Sequence, residues 1–171
     1  MVSEPLPGAL SRDAMPAGEF DLIDRYFRRA LPARDDVLVG IGDDGAVLEL
    51  PHGRTLLTAM ATLGADAWKA CDGDPARLAR DAMAAPLASL AAAGAEPAWA
   101  TLALTLPEVD EAWLAAFSDA LFAEALPASV ALVGGDTTRG PFTVTLVAHG
   151  LTDGGGAPAR AGNSSGTAPG E

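Results

Sequence analysis

The stretch Leu132-Val133-Gly134-Gly135-Asp136-Thr137-Thr138-Arg139-Gly140-Pro141 decides how the rest of the chain is read. A short apolar run at 130–133 delivers two glycines and a carboxylate, and an alternating segment restarts at Phe142. Paired glycines let backbone approach a ligand closely. A carboxylate on a turn at a strand end can hold a hard cation such as Mg²⁺. The same residues also suit the tight turn of an ordinary hairpin. On this stretch alone both readings stand.

Upstream, Asp110 caps a helix whose inner face is Trp113 or Leu114, Phe117 and Leu121. Before it, 98–106 alternates, with Leu102, Leu104 and Leu106 on one face and Thr101, Ala103 and Thr105 on the other, the pattern of a half-buried strand. Asp74-Pro75 opens another helix, with aspartate as N-cap and proline at the first helical position. Its stripe is Leu78, Ala82, Met83, Leu87 and Leu90, and Gly94 ends it. Pro86 lies inside, where a missing N–H predicts a kink or break. Residues 62–73 read as a mixed loop.

Nearer the start, Leu22, Ile23, Tyr26, Phe27, Ala30 and Leu31 share a helical face that Pro32 closes. Strands are expected at 37–41, 46–50 and 55–60, the first two joined by Gly42-Asp43-Asp44-Gly45. That junction repeats the chemistry of the opening stretch, although Asp-Gly is equally a hairpin signal. Downstream, Phe142, Val144 and Leu146 alternate with Thr143, Thr145 and Val147. Strands in runs, with helices long enough to cover one face, predict an α+β fold: a mixed β-sheet with helices packed on one face. Three segments are expected: a flexible tail over 1–17, a folded domain over 18–151, and a Gly/Ala/Ser/Pro-rich flexible end over 152–171.

Composition narrows the functional classes. A net charge of −12 argues against a nucleic-acid groove, which needs a basic face. No apolar run reaches the length of a membrane span, and 1–17 lacks the pattern of a secretory signal, so the cytoplasm is the expected location. The single cysteine, Cys71, cannot form an internal disulfide or a cysteine zinc cluster. A phosphate site on so acidic a chain needs local positive charge from metal ions or single arginines. Asp43, Asp44 and Asp136, at strand ends that could converge, are the candidate ligands. There is no Walker sequence and no kinase catalytic-loop motif. His52 and His149 are expected to be structural or solvated, Ser89 and Cys71 lack a local base, and Trp68, Trp99 and Trp113 are expected to fill core or interface.

Several motifs, in order, resemble one family. They are Gly18-Glu19-Phe20-Asp21-Leu22-Ile23 with Arg25-Tyr26-Phe27, and Gly40-Ile41-Gly42-Asp43-Asp44-Gly45-Ala46. Leu102-Ala103-Leu104-Thr105-Leu106-Pro107 with Asp110-Glu111-Ala112-Trp113-Leu114 follows, and then Gly134 to Pro141. Over about 18–162 the chain resembles the N-terminal domain of the thiamine-monophosphate kinase family, within the superfamily of aminoimidazole ribonucleotide synthetase. The resemblance implies that superfamily's N-terminal-like domain, dimerising through its sheet. It also implies ATP- and Mg²⁺-dependent phosphorylation of thiamine monophosphate to thiamine diphosphate. By the same resemblance Asp44 and Asp136 match magnesium ligands, Gly135 and Asp136 lie against the nucleotide, and Arg160 contacts the phosphates.

Three departures accompany the resemblance. Where the family carries Ser-Thr-Asp after its third strand, this chain has Ala59-Met60-Ala61. Where it carries Asn-Leu-Ser-Asp in a helix, this chain has Pro86-Leu87-Ala88-Ser89. The family's C-terminal domain has no counterpart before Glu171. Losing comparable electrostatic stabilisers costs about 10²–10³ in rate. The expectation is a truncated form with impaired or no activity; the alternative is a degenerate, non-catalytic nucleotide-binding or dimerisation module.

Overall fold

In the computed structural model, residues 23–28, 34–42 and 45–154 are described. A π-helical turn (Ile23–Phe27) precedes a ribbon of β1 (Val37–Val39) and β2 (Val47–Leu48). Then follow β3 (Arg54–Leu63), α1 (Ala65–Ala70), α2 (Pro75–Ala92), β4 (Glu96–Leu106), α3 (Glu111–Ala125), β5 (Ala131–Arg139) and β6 (Thr143–Asp153). The main sheet has the order β3-β6-β4-β5, with β4 and β5 parallel and the other neighbours antiparallel. It is the mixed sheet of an α+β domain, as the alternating strands require. The parallel pair is joined through α3, the crossover that parallel neighbours need.

Strand periodicity sets the two faces. Leu102 and Leu104 of β4 and Val144, Leu146 and Ala148 of β6 are buried beneath α2 and α3, with Leu78, Met83, Leu114, Phe117 and Leu121. Asp74 and Asp110 cap the two helices, their carboxylates accepting from Ala76 and Arg77 and from Ala112 and Trp113. Trp113 stacks between Trp68 and Phe117 and donates its indole N–H to the Gly73 carbonyl at 2.8 Å. These tryptophans therefore belong to the core. Among the described residues, the opposite face of the sheet is covered only at one end. There Val37 and Leu48 of the ribbon pack against Trp99, Ala131, Val133 and Leu151, and Trp99 is only 1% exposed.

Four local expectations are corrected. Helix α2 runs through Pro86 without a break. The fully buried pyrrolidine ring contributes to the core, which offsets part of the cost of the lost helical hydrogen bond. Residues 65–70, expected as loop, form α1, whose N-cap Gly64 offers no side chain to signal a start. β3 continues past Met60 to Leu63, because Ala61, Thr62 and Leu63 keep pairing with β6. Gly134-Gly135-Asp136 is not a turn: all three residues lie inside β5. Of the first expected helix, 19–31, only residues 23–28 fall among the described ones.

Candidate functional site

The register changes immediately before the two glycines. Along β5, Leu132 pairs with Ala100 but Gly134 pairs with Thr101, so Val133 is an extra residue at that step. Such a bulge moves every later side chain to the other face. Before it, Ala131 pairs with Trp99 and Leu132 with Ala100; after it, Gly135 pairs with Leu102 and Asp136 with Ala103. Asp136 thus joins the row Thr62–Thr145–Ala103 on the face away from the helices, exposed on an edge strand. Gly135 has φ +154°, and a Cβ there would overlap the Leu102 carbonyl oxygen. Only glycine fits, and it lets the backbone approach closely beside Asp136.

Neighbouring side chains lock the end of this edge. Thr105 and Thr138 share a hydroxyl hydrogen bond of 2.8 Å, and the Arg139 guanidinium donates to the Pro107 carbonyl at 3.1 Å. The Asp136 carboxylate is left exposed to solvent.

Asp43, Asp44 and Arg160 lie outside the described residues, so their convergence with Asp136 stays an expectation. Gly42 and Gly45 flank the two aspartates. Arg28 donates to the Ile41 carbonyl at 2.9 Å, and its guanidinium lies where a Gly42 Cβ would be. Among the described residues no three His, Cys, Asp or Glu side chains form a metal-holding group. A lone exposed carboxylate fits the way Mg²⁺ is commonly held, by one or two carboxylates together with substrate phosphates and water. It does not fit an all-protein cage.

The departures occupy distinct places. Met60 is 63% exposed on the bare face, while Ala59 and Ala61 point toward the helices and pair with Ala148 and Leu146. Ser89 lies exposed on α2, its hydroxyl donating to the Ala85 carbonyl at 3.0 Å. β3 and β5 are opposite edges, so Ala61 and Gly135 share a row but stand three strand spacings apart, roughly 14 Å. His149 sits on the bare face with Nδ1 3.1 Å from the Thr58 hydroxyl, and burial holds its imidazole below the ordinary value. His52 lies in an exposed turn.

Sequence reasoning missed Asp36. Its carboxylate accepts from Arg34 at 2.9 and 2.6 Å and from the Trp99 indole at 3.1 Å. Arg34 lies 5.5 Å from the Trp99 ring centre and donates to the Ser129 carbonyl. Arg34 lies only two residues from Asp36, but Trp99, 63 positions away, leaves no local pattern to find.

With this geometry in place, the comparisons with known proteins are specific. The family model described as AIR synthase related protein, N-terminal domain, matches residues 42–152. The chain belongs to this family. As an AIR synthase related domain it is 54% identical over 148 residues to thiamine-monophosphate kinase of Salmonella typhimurium, covering 86% of this chain and 46% of that protein. The crystal structure of thiamine-monophosphate kinase from Stenotrophomonas maltophilia K279a matches with TM-score 0.68 and 43% identity. That match covers 77% of this chain and 42% of the other. AaThiL complexed with AMPPCP and TMP matches with TM-score 0.55 and 22% identity, over 80% and 42% of the two chains, a likeness of fold alone. The AIR synthase related chain spans about half the length of the curated relatives it matches.

Proposed function

We propose that this chain is the N-terminal, nucleotide-facing part of a thiamine-monophosphate kinase, its domain spanning residues 18–151. The reaction is Mg²⁺-dependent transfer of the ATP γ-phosphoryl group to thiamine monophosphate, giving thiamine diphosphate, with the cytoplasm as its location. The single observation that carries this reading is the 54% identity to a protein of that name. The bulge at Val133 adds a physical reason: it presents Asp136 on the exposed face of an edge strand. In this reading Asp136 and Asp44 bind Mg²⁺, Gly135 lies against the nucleotide, and Arg160 meets the phosphates. When bound, Mg²⁺ would neutralise phosphate charge that this acidic chain would otherwise repel. The bare sheet face, with Leu56 and Met60 exposed, supports a homodimer formed through the sheet.

A second reading is favoured by Met60, Ala61 and Ser89. They replace a hydroxyl and two carboxylates at positions where the family holds metal, so the 171 residues by themselves bind nucleotide weakly and do not turn over substrate. Titrating the chain with AMPPCP and Mn²⁺, with and without Asp136→Ala, tests the site. A binding signal lost in the variant supports it; equal affinities overturn the assignment of Asp136. Formation of thiamine diphosphate by the 171 residues alone would overturn the second reading.

A further inference from the structure

β3 is an edge strand of ten residues, and its one charged side chain is Arg54 at the first position. Edge strands are commonly blunted by charges, prolines or bulges, and a long apolar edge without them is a template for a second chain. From Thr55 to Leu63 the strand has no charge and no proline, and its pairing with β6 runs without a bulge. On the face away from the helices it exposes Leu56 and Met60. For a chain of net charge −12, such an uncharged strip is where an equally acidic second copy meets least repulsion.

Between Leu56 and Met60 on that face stands Thr58, paired with His149 of β6. His149 is half-buried, with Thr58 on one side and Trp99 on the other. The adjoining rows are apolar, Leu56 with Leu151 and Met60 with Val147. Thr58 Oγ1 lies 3.1 Å from Nδ1, and a hydroxyl donates to the neutral ring or accepts from the charged one, so this bond serves both forms. The charged groups of the face stand at its ends. Arg54 is paired with Glu96 and Asp153 at one, and Asp136 lies at the other. Asp36 of the adjoining ribbon is bonded to Arg34. Among the described residues no carboxylate pairs with the imidazole, and its lowered value comes from burial.

We propose that His149 makes self-association through this face pH-dependent: the neutral imidazole lets two copies cover it, and the protonated one opposes them. The inference rests on the homodimer of the proposed function and names its regulation. Covering the face takes water from Leu56, Met60 and the ring together, and a charged ring then has no partner to replace that water. Protons therefore bind the free chain more readily than the dimer, and association weakens as pH falls below 6.5. With one imidazole from each copy, the dissociation constant rises by at most about a hundredfold per pH unit.

Sedimentation equilibrium of the whole chain from about pH 7.5 to about pH 5 tests this, with far-UV circular dichroism at each pH. Wild type, His149→Gln and Met60→Lys are compared. In wild type the dimer dissociation constant should rise by about tenfold or more across the range while the helical signal is kept. In His149→Gln, which stays neutral, it should change by less than about threefold. Met60→Lys, a charge on the same face, should weaken the dimer at every pH. Equal pH dependence in wild type and His149→Gln overturns the proposal, as does dissociation that coincides with loss of the helical signal. If His149→Gln fails to fold, His149→Asn decides on the same criterion. A wild-type dimer that does not weaken with acid overturns the role of His149 and leaves the homodimer standing. Monomer throughout the range, or an undiminished dimer in Met60→Lys, overturns association through this face and the proposal with it.

Discussion

Gly135 lies so close to the Leu102 carbonyl that a Cβ on it would overlap the oxygen. The residue before it, Gly134, has open space where its Cβ would be. Adjacent glycines just after one bulge are therefore under opposite constraints. Gly135→Ala should destabilise the domain by about 2–4 kcal/mol, combining overpacking with an unfavourable backbone angle. Gly134→Ala should change stability by less than about 1 kcal/mol. Urea unfolding midpoints of the two variants check this contrast; equal effects would mean the bulge does not have the close approach described.

Pro86 sets two terms of similar size against each other. Alanine there restores an intrahelical hydrogen bond and relieves a propensity penalty of about 3 kcal/mol. It also removes two buried methylene groups, at about 0.8 kcal/mol each. The balance predicts that Pro86→Ala stabilises the chain by about 1 kcal/mol. Thermal unfolding reads this directly, and a loss of stability would show that the buried ring contributes more than its area implies.

The legible parts of the fold are those where local pattern and tertiary outcome agree. Leu102, Leu104 and Leu106 alternate because β4 has one face under the helices, and Asp74-Pro75 marks α2 because the cap is made by the residue itself. The illegible parts depend on distant partners. Gly-Gly-Asp has the composition of a turn, and only pairing with β4 makes it a strand. The Asp36 anchor spans 63 positions to Trp99 and has no sequence signature. Of the candidate site, Asp136 was legible as a carboxylate, but the face it occupies is set by a bulge that sequence does not announce.

Two groups give the stability a defined pH dependence. The Arg34 guanidinium, bonded to Asp36, holds that carboxyl below its ordinary 3.8. Its contribution is present above that value and is lost as pH falls through the lower folded value. Burial holds His149 below its ordinary 6.5. Below 6.5 the unfolded chain takes up the proton first, so stability declines as pH falls from 6.5 toward the folded value. Urea midpoints should drop as pH falls below 6.5, and His149→Gln should flatten that part of the profile. An unchanged slope in the variant would remove His149 as its source.

The altered positions on β3 and α2 predict a separable gain of metal response. Ser89 is exposed, so Ser89→Asp should alter stability by no more than about 0.5 kcal/mol. Ala61 faces the helices opposite the fully buried Leu146, and a carboxylate there should cost about 1–3 kcal/mol. Met60→Thr on the bare face completes the oxygen set without comparable penalty. Under the proposed function the triple variant should be less stable than wild type without metal but gain more from it. A ligand at a hundredfold excess over its dissociation constant stabilises by about 2.7 kcal/mol, enough to offset the introduced charge. Melting temperatures of both proteins with AMPPCP, with and without Mg²⁺, make the comparison. A larger Mg²⁺-dependent rise in the variant locates lost ligands at these positions; an equal rise in both would mean that Ala61 and Ser89 stand away from any metal the domain binds.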